Sequence, residues 1–173
     1  MNGLFAKLSD SDFVEYVTSF DVCVLSETFT LPSFDFSIYF NDFIILHSPA
    51  VKLSRMGRNS GGLVILIRKR LSEFVKSIDT KHENILCSRL SKQLFGCEKD
   101  VLFVGLYNHP VGSAFYENKE YSCSLDLLEQ FLLSQMESGE DPYFLIGGDF
   151  NSRIGDWSFD VLDDVDDDDD DYV

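Results

Sequence analysis

The stretch "YFLIGGDFNSRIGD", residues 143–156, sets the problem posed by this chain. An apolar run meets two glycines, Gly147 and Gly148, and then Asp149, Asn151 and Arg153 alternate. Aromatic and β-branched residues bounded by a proline and glycines read as a buried strand over residues 142–150. Side chains two apart on an extended backbone share a face, so Asp149 and Asn151 point the same way. A plainer reading stands beside this one. Gly-Asp and Asn-Ser also favour a turn, and the two glycines a bulge.

Further strands of the same kind lie upstream. "FDVCVLSET" (20–28) and "GGLVILIRK" (61–69) are short, apolar and β-branched, and "DVLFVGLYNHP" (100–110) is stopped by Pro110. "ENILCSRLS" (83–91) alternates and suits a half-buried strand. Residues 121–138 place Leu125, Leu128, Leu132 and Met136 on one helical face, with Ser124 as the cap. Residues 4–20 carry Leu4, Leu8, Phe13, Val17 and Phe20 at roughly helical spacing, with Ser9 or Ser11 as the cap. The order is helix, four strands, helix, strand. It predicts a mixed α/β domain with several strands buried on both faces.

Composition narrows the class. At 173 residues, with 45% apolar and 14% aromatic content, the chain suits one globular domain with a substantial core. No apolar stretch is long enough to span a bilayer, and "MNGLFAKLSD" lacks the order of a signal peptide. Cys23, Cys87, Cys97 and Cys123 form no C-x-x-C pair, so buried free thiols are expected, and with them an intracellular setting. Residues 156–173 hold ten Asp and no Lys or Arg, so most of the net charge of −16 resides there. From residue 157 onward the sequence reads as an acidic tail kept extended by its own repulsion. Lys52, Arg55, Arg58, Arg68, Lys69 and Arg70 gather six of the fourteen cations into one segment, a candidate contact for DNA phosphates or simply a solvated edge.

Three strands end in polar residues: Glu27 after "DVCVLS", Tyr107 after "VLFVGL", and Asp149 with Asn151 after "YFLIGG". Ligands in α/β sheets commonly sit beyond the carboxyl ends of strands. Metal-assisted phosphoester hydrolysis wants this set. A hard divalent ion, Mg²⁺ or Mn²⁺, asks for oxygen ligands such as Glu27. Asp149 can orient or deprotonate water, Asn151 can hold that base or a phosphoryl oxygen, and Tyr107 offers a hydroxyl as charge develops. Taken singly, Glu27 suits a solvated rim and Tyr107 a half-polar boundary. No Walker loop or H-E-x-x-H is present, and "GRNSGG" does not satisfy G-x-S-x-G.

"VLSET" (24–28), "GRNSGGLVILI" (57–67), "GLYNHP" (105–110) and "GGDFNSRIGD" (147–156) together resemble the serial motifs of the endonuclease/exonuclease/phosphatase superfamily. The likeness is greatest to endonuclease domains of LINE-type non-LTR retrotransposons, which precede a reverse transcriptase. It implies a two-sheet β-sandwich flanked by helices over residues 1–156. It also implies that Glu27 binds the metal, Asp149 activates water, Asn151 stabilises the transition state and Tyr107 lies near the scissile phosphate. "MNGL" is similar to the end of the first-strand motif, which makes Asn2 a second metal-site residue.

The chain departs from that pattern at both ends. The first-strand Asn would precede Met1, and no S-D-H follows Asp149, for His47, His82 and His109 all come earlier. These departures lead one to expect an incomplete fold with an unpaired sheet edge, exposed core surface and weak or no activity. Three functions are therefore in play. The first is a DNA-nicking domain, nuclear if it acts on DNA. The second is a phosphatase or phosphodiesterase of the same fold acting on a phospholipid or small phosphate ester. The third is a non-catalytic acidic interaction protein.

Overall fold

The structure is a computed structural model describing residues 4–53, 57, 59–110, 112–117, 119–137, 139 and 141–151. Asn2, Arg55, Arg58, Arg153 and the acidic segment 157–173 lie outside the described residues.

The chain opens with two short helices, α1 (Leu4–Lys7) and α2 (Ser11–Thr18). Where one helix was expected over 4–20, two form. The second is capped by Asp10, whose side chain accepts from the Asp12 N–H, rather than by Ser9 or Ser11. The strands are β1 (Val22–Ser26), β2 (Phe43–Ser48), β3 (Val51–Lys52), β4 (Asn59–Ser60), β5 (Leu63–Arg68), β6 (Val75–Ile78), β7 (Ile85–Leu90), β8 (Val101–Tyr107) and β9 (Tyr143–Asp149). Two further helices are α3 (Lys92–Phe95) and α4 (Ser124–Glu137).

Three sheets result. One is antiparallel in the order β1-β5-β2, another is the order β6-β7-β8-β9, and β3-β4 is a separate two-stranded ribbon. The β8–β9 pair is parallel, with α4 as the intervening crossover, and it aligns Tyr107 with Asp149. Among the described residues β1 pairs only with β5 and β9 only with β8. Tyr143 and Leu145 on β9 are half exposed.

The two larger sheets face each other across a shared core of Ile65, Ile67, Leu71, Leu90 and Phe103, joined by Val22, Val24 and Ile44. On the outer side of the first sheet, α1, α2 and the turn at Phe36–Ile38 bury Leu4, Leu8, Val17, Phe36 and Phe40 against Val64 and Leu66. On the outer side of the second, α4 packs Leu127, Leu128 and Phe131 on Ile85, Leu102 and Val104. The layering is helix, sheet, sheet, helix. Central strands β5 and β8 bury both faces, which is why they read as continuous apolar runs. Each large side chain so buried contributes roughly 1.5–3 kcal/mol.

Several expectations need correction. The buried stripe of α4 centres on Ser124, Leu127, Leu128 and Phe131, while Met136 is half exposed. Ser124 is the first helical residue, not the cap; Cys123 stands before it and accepts from the Leu125 N–H through sulfur. All four cysteines are free, but only Cys87 is fully buried and Cys97 is exposed. No helix among the described residues is long and apolar enough to cross a membrane. Of the basic segment Lys52–Arg70, the structure describes Lys52, Arg68, Lys69 and Arg70. Strand β5 carries the chain from Gly62 at one end of the sandwich to Arg68 at the other, where Arg70 pairs with Asp21 at 2.5 Å and Arg68 lies over the Phe43 ring.

Candidate active site

One end of the sandwich collects the carboxyl ends of β1, β8 and β9 and the entry to β5. The chain leaves β1 at Ser26 and turns through Glu27, whose φ of 53° is left-handed. That turn is held by the Thr28 N–H on Gly62 O at 3.2 Å and the Phe29 N–H on Gly61 O at 3.0 Å. Among the described residues only Glu27, Phe29, Lys81 and Asn151 are non-glycine residues with positive φ. Two of these are expected site residues. Backbone strain of this kind persists where surrounding bonds over-determine it, and it gathers at functional sites.

Tyr107 ends β8, is almost fully buried, and donates its hydroxyl to Glu27 Oε1 at 3.3 Å. Its ring lies against Gly61, where a Cβ would sit 3.0 Å from Tyr107 Cδ1. The glycines of "GRNSGG" thus have a steric purpose: Gly61 accommodates the tyrosine and Gly62 the Thr28 hydroxyl, both at positive φ. Burial, followed by the Glu27 charge and hydrogen bond, pushes the Tyr107 phenol up to about 12, and the charge of Asp149 acts in the same direction. Near neutral pH this phenol is a hydrogen-bond donor.

Asp149 ends β9 beside Tyr107. Its carboxylate accepts from the Asn151 N–H at 2.9 Å, and Asn151 Nδ2 donates to Asn108 O at 2.7 Å. Asn151 therefore holds the aspartate through its backbone while its own side chain is fixed to β8. The turn between them is anchored by Asn108, whose N–H donates to Asp149 O at 2.8 Å and whose Nδ2 donates to Phe150 O at 2.8 Å. The glycines ahead of Asp149 permit close contact rather than a simple bulge. A Cβ on Gly148 would lie 1.9 Å from Leu106 O, and one on Gly147 3.3 Å from Val24.

Glu27, Tyr107, Asp149 and Asn151 thus meet at one end of the molecule. The donors on offer are carboxylate, amide and phenol oxygens, a hard set suited to Mg²⁺ or Mn²⁺. Among the described residues no group of three or more His, Cys, Asp or Glu is clustered as a metal cage.

The sequence reading passed over Asn108, although it stands inside the quoted "GLYNHP". Its Oδ1 accepts from the Ser124 N–H at 3.0 Å and the Tyr116 hydroxyl at 3.0 Å, tying α4 to the site. His109, next in the chain, is stacked on Phe115 at 3.7 Å and meets the Tyr107 ring edge-on at 4.6 Å. An Asn between Tyr107 and His109 at a strand end, two residues before Pro110, was the available signal.

The sequence matches the family described as "Endonuclease/Exonuclease/phosphatase family" over residues 1–171. The chain belongs to that family. Among solved structures it is similar to the crystal structure of AP endonuclease LMAP from Leishmania major, with a TM-score of 0.57 and 13% sequence identity. The match covers 84% of this chain and 51% of that one, so the chain spans about half its length. At such identity the likeness is one of fold, and the two-sheet, helix-flanked arrangement is that of the family. No curated protein matches the sequence.

Proposed function

We propose that this family member hydrolyses phosphodiester bonds in a divalent-metal-dependent way, with DNA as substrate and nicking as the outcome. One observation carries the reading: the Tyr107 hydroxyl reaches Glu27 at 3.3 Å while Tyr107 stands in register with Asp149 across β8 and β9. Family membership supports the reaction class. The AP endonuclease likeness and the "GDFNSRIGD" stretch support a nucleic-acid substrate, the latter in the LINE-type branch. Mg²⁺ or Mn²⁺ is the ion proposed, with Glu27 and, by resemblance, Asn2 as its ligands. When bound, the ion supplies Lewis-acid polarisation of a phosphoryl oxygen.

The chain's own groups then divide the work. Asp149, its carboxylate steadied by the Asn151 N–H, accepts the proton of the attacking water. Tyr107, kept protonated, donates to a non-bridging oxygen as negative charge grows there. Asn151 holds the turn, its N–H on Asp149 and its Nδ2–H on Asn108 O. The test is relaxation of supercoiled plasmid with Mg²⁺ present or chelated. Asp149→Ala should lower nicking by about 10²–10³-fold. Undiminished nicking by that variant removes Asp149 from the mechanism.

A second reading has an observation of its own. An apolar groove of about 510 Å³, lined by Phe5, Leu31, Phe34, Ile38 and Tyr39, opens at Phe29, two residues beyond Glu27. Such a wall suits the chains of a phospholipid. Phosphate or headgroup release from lipid vesicles, with no plasmid nicking, favours this substrate over DNA.

A further inference from the structure

Two of the four non-glycine residues with positive φ among those described, Glu27 and Phe29, fall in one turn, each at 53°. Left-handed backbone costs free energy at a residue with a side chain, so the surroundings of this turn must hold it. Backbone bonds supply part of the hold. Thr28 and Phe29 donate to the carbonyls of Gly62 and Gly61, and Thr30 O accepts from the Ala50 N–H at 2.9 Å. Side chains supply the rest. Thr28 and Thr30 are 2% and 4% exposed, and their hydroxyls meet at 2.9 Å. A Cβ on Gly62 would come within 2.4 Å of Thr28 Oγ1, so the hydroxyl fills the space that glycine leaves. The Thr30 hydroxyl reaches His47 Nε2 on β2 at 3.1 Å, and the His47 ring meets Phe36 edge-on at 4.8 Å. Hydroxyls both give and accept, so the row closes with Nε2 in either role. It ties the turn that leaves β1 to β2, on the other side of β5.

Resting on the metal-dependent reading above, we propose that Thr30 and His47 are positioning residues for Glu27: the row Thr28–Thr30–His47 locks the left-handed turn and so fixes where the Glu27 carboxylate stands for the metal ion. The lock accounts for two buried threonine hydroxyls directly beyond the glutamate. It also accounts for a histidine in the otherwise apolar run of "FIILHS". An apolar side chain at position 30 or 47 leaves the backbone bonds alone to hold two left-handed residues.

The experiment is amide hydrogen exchange of the whole chain, read residue by residue by NMR, with Mn²⁺ binding followed by calorimetry. The site's share of that binding is the part lost in Glu27→Gln. In Thr30→Val the Thr28 and Phe29 amides should exchange about tenfold faster while those of β5 and β8 keep their wild-type rates. Mn²⁺ binding at the site should weaken about tenfold in the same variant. Thr30→Ser keeps the hydroxyl and should restore both readouts. Should Thr30→Val not fold, His47→Phe removes the same bond, keeps an aromatic ring against Phe36 and should show the same pair of changes. Unchanged exchange at Thr28 and Phe29, an acceleration shared by β5 and β8, or full Mn²⁺ affinity in a variant with a loosened turn overturns the proposal. If Glu27→Gln binds Mn²⁺ as the wild type does, the metal reading of Glu27 falls instead, and the exchange rates then decide the lock alone.

Discussion

At the scale of single residues, the site depends on two that take no part in the chemistry. Gly148 lets β9 press against the Leu106 carbonyl at a φ of 137°, a conformation and a clearance that only glycine meets. Gly148→Ala should therefore lower the urea midpoint by the equivalent of about 2–4 kcal/mol, far above an average surface change. Asn108 satisfies groups from three directions: the Asp149 carbonyl, the Phe150 carbonyl and the Ser124 N–H. Replacing it by alanine removes the acceptor that the Ser124 N–H and the Tyr116 hydroxyl share, leaving them Tyr116 Oη and His109 O, and strips the donor from Phe150 O. The expected loss is roughly 1–3 kcal/mol, read as a lower Tm, together with weaker nicking because the Asp149 turn loses its anchor. Nicking that falls while Tm holds would show that Asn108 serves the site more than the fold.

At the scale of elements, α4 offers a clear contrast. Leu128 faces the sheet and Met136 does not, although both lie on the face that Leu125 and Leu132 suggested. Leu128→Ala should cost about 2–4 kcal/mol in urea unfolding and Met136→Ala no more than about 0.5 kcal/mol. Comparable losses at both positions would contradict the observed rotation of the helix. The misreading has a physical source. Leucines on nearly every turn offer two overlapping stripes, and only the shape of the sheet beneath chooses between them. β5 and β8 were legible because burial on both faces gives continuous apolar runs, and β1 and β9 because their short apolar runs end abruptly in polar residues. β2 was not read as a strand, although "FIILHS" has the composition, because flanking aromatics obscure its ends. β6, "VKSI", is too short for alternation to register, and it owes its place to pairing with β7. The site followed the same rule. Residues at the tips of legible strands could be assembled from order alone, whereas Asn108 acts through side-chain and backbone bonds that only the folded geometry brings together.

At the scale of the whole molecule, buried titratable groups set the pH limits. His109 has its pKa lowered to about 4, so the fold holds it neutral while the unfolded chain takes up a proton near 6.5. Its contribution is complete above pH 6.5 and is lost as pH falls through 4. Cys87, raised to about 12 by burial, and Tyr107, also raised to about 12, behave oppositely. Their contributions are complete below about 9 and 10 and disappear as pH climbs towards 12. Chemical denaturation across pH should show a plateau near neutrality with losses on both sides, and His109→Phe should flatten the acid limb between 6.5 and 4. An unchanged acid limb in that variant would assign the loss to carboxylates. One feature of the architecture bears on how the protein behaves in company. Among the described residues the β9 rim pairs only with β8, and with Tyr143 and Leu145 half bare it offers another copy both a ladder of backbone groups and a greasy strip to settle on. The net charge of −16 on so small a body opposes such an approach by mutual repulsion. Colloidal behaviour should accordingly hinge on ionic strength: dilute buffer keeps the solution clear, while salt that shortens the reach of that repulsion lets the rims meet, visible as rising light scattering.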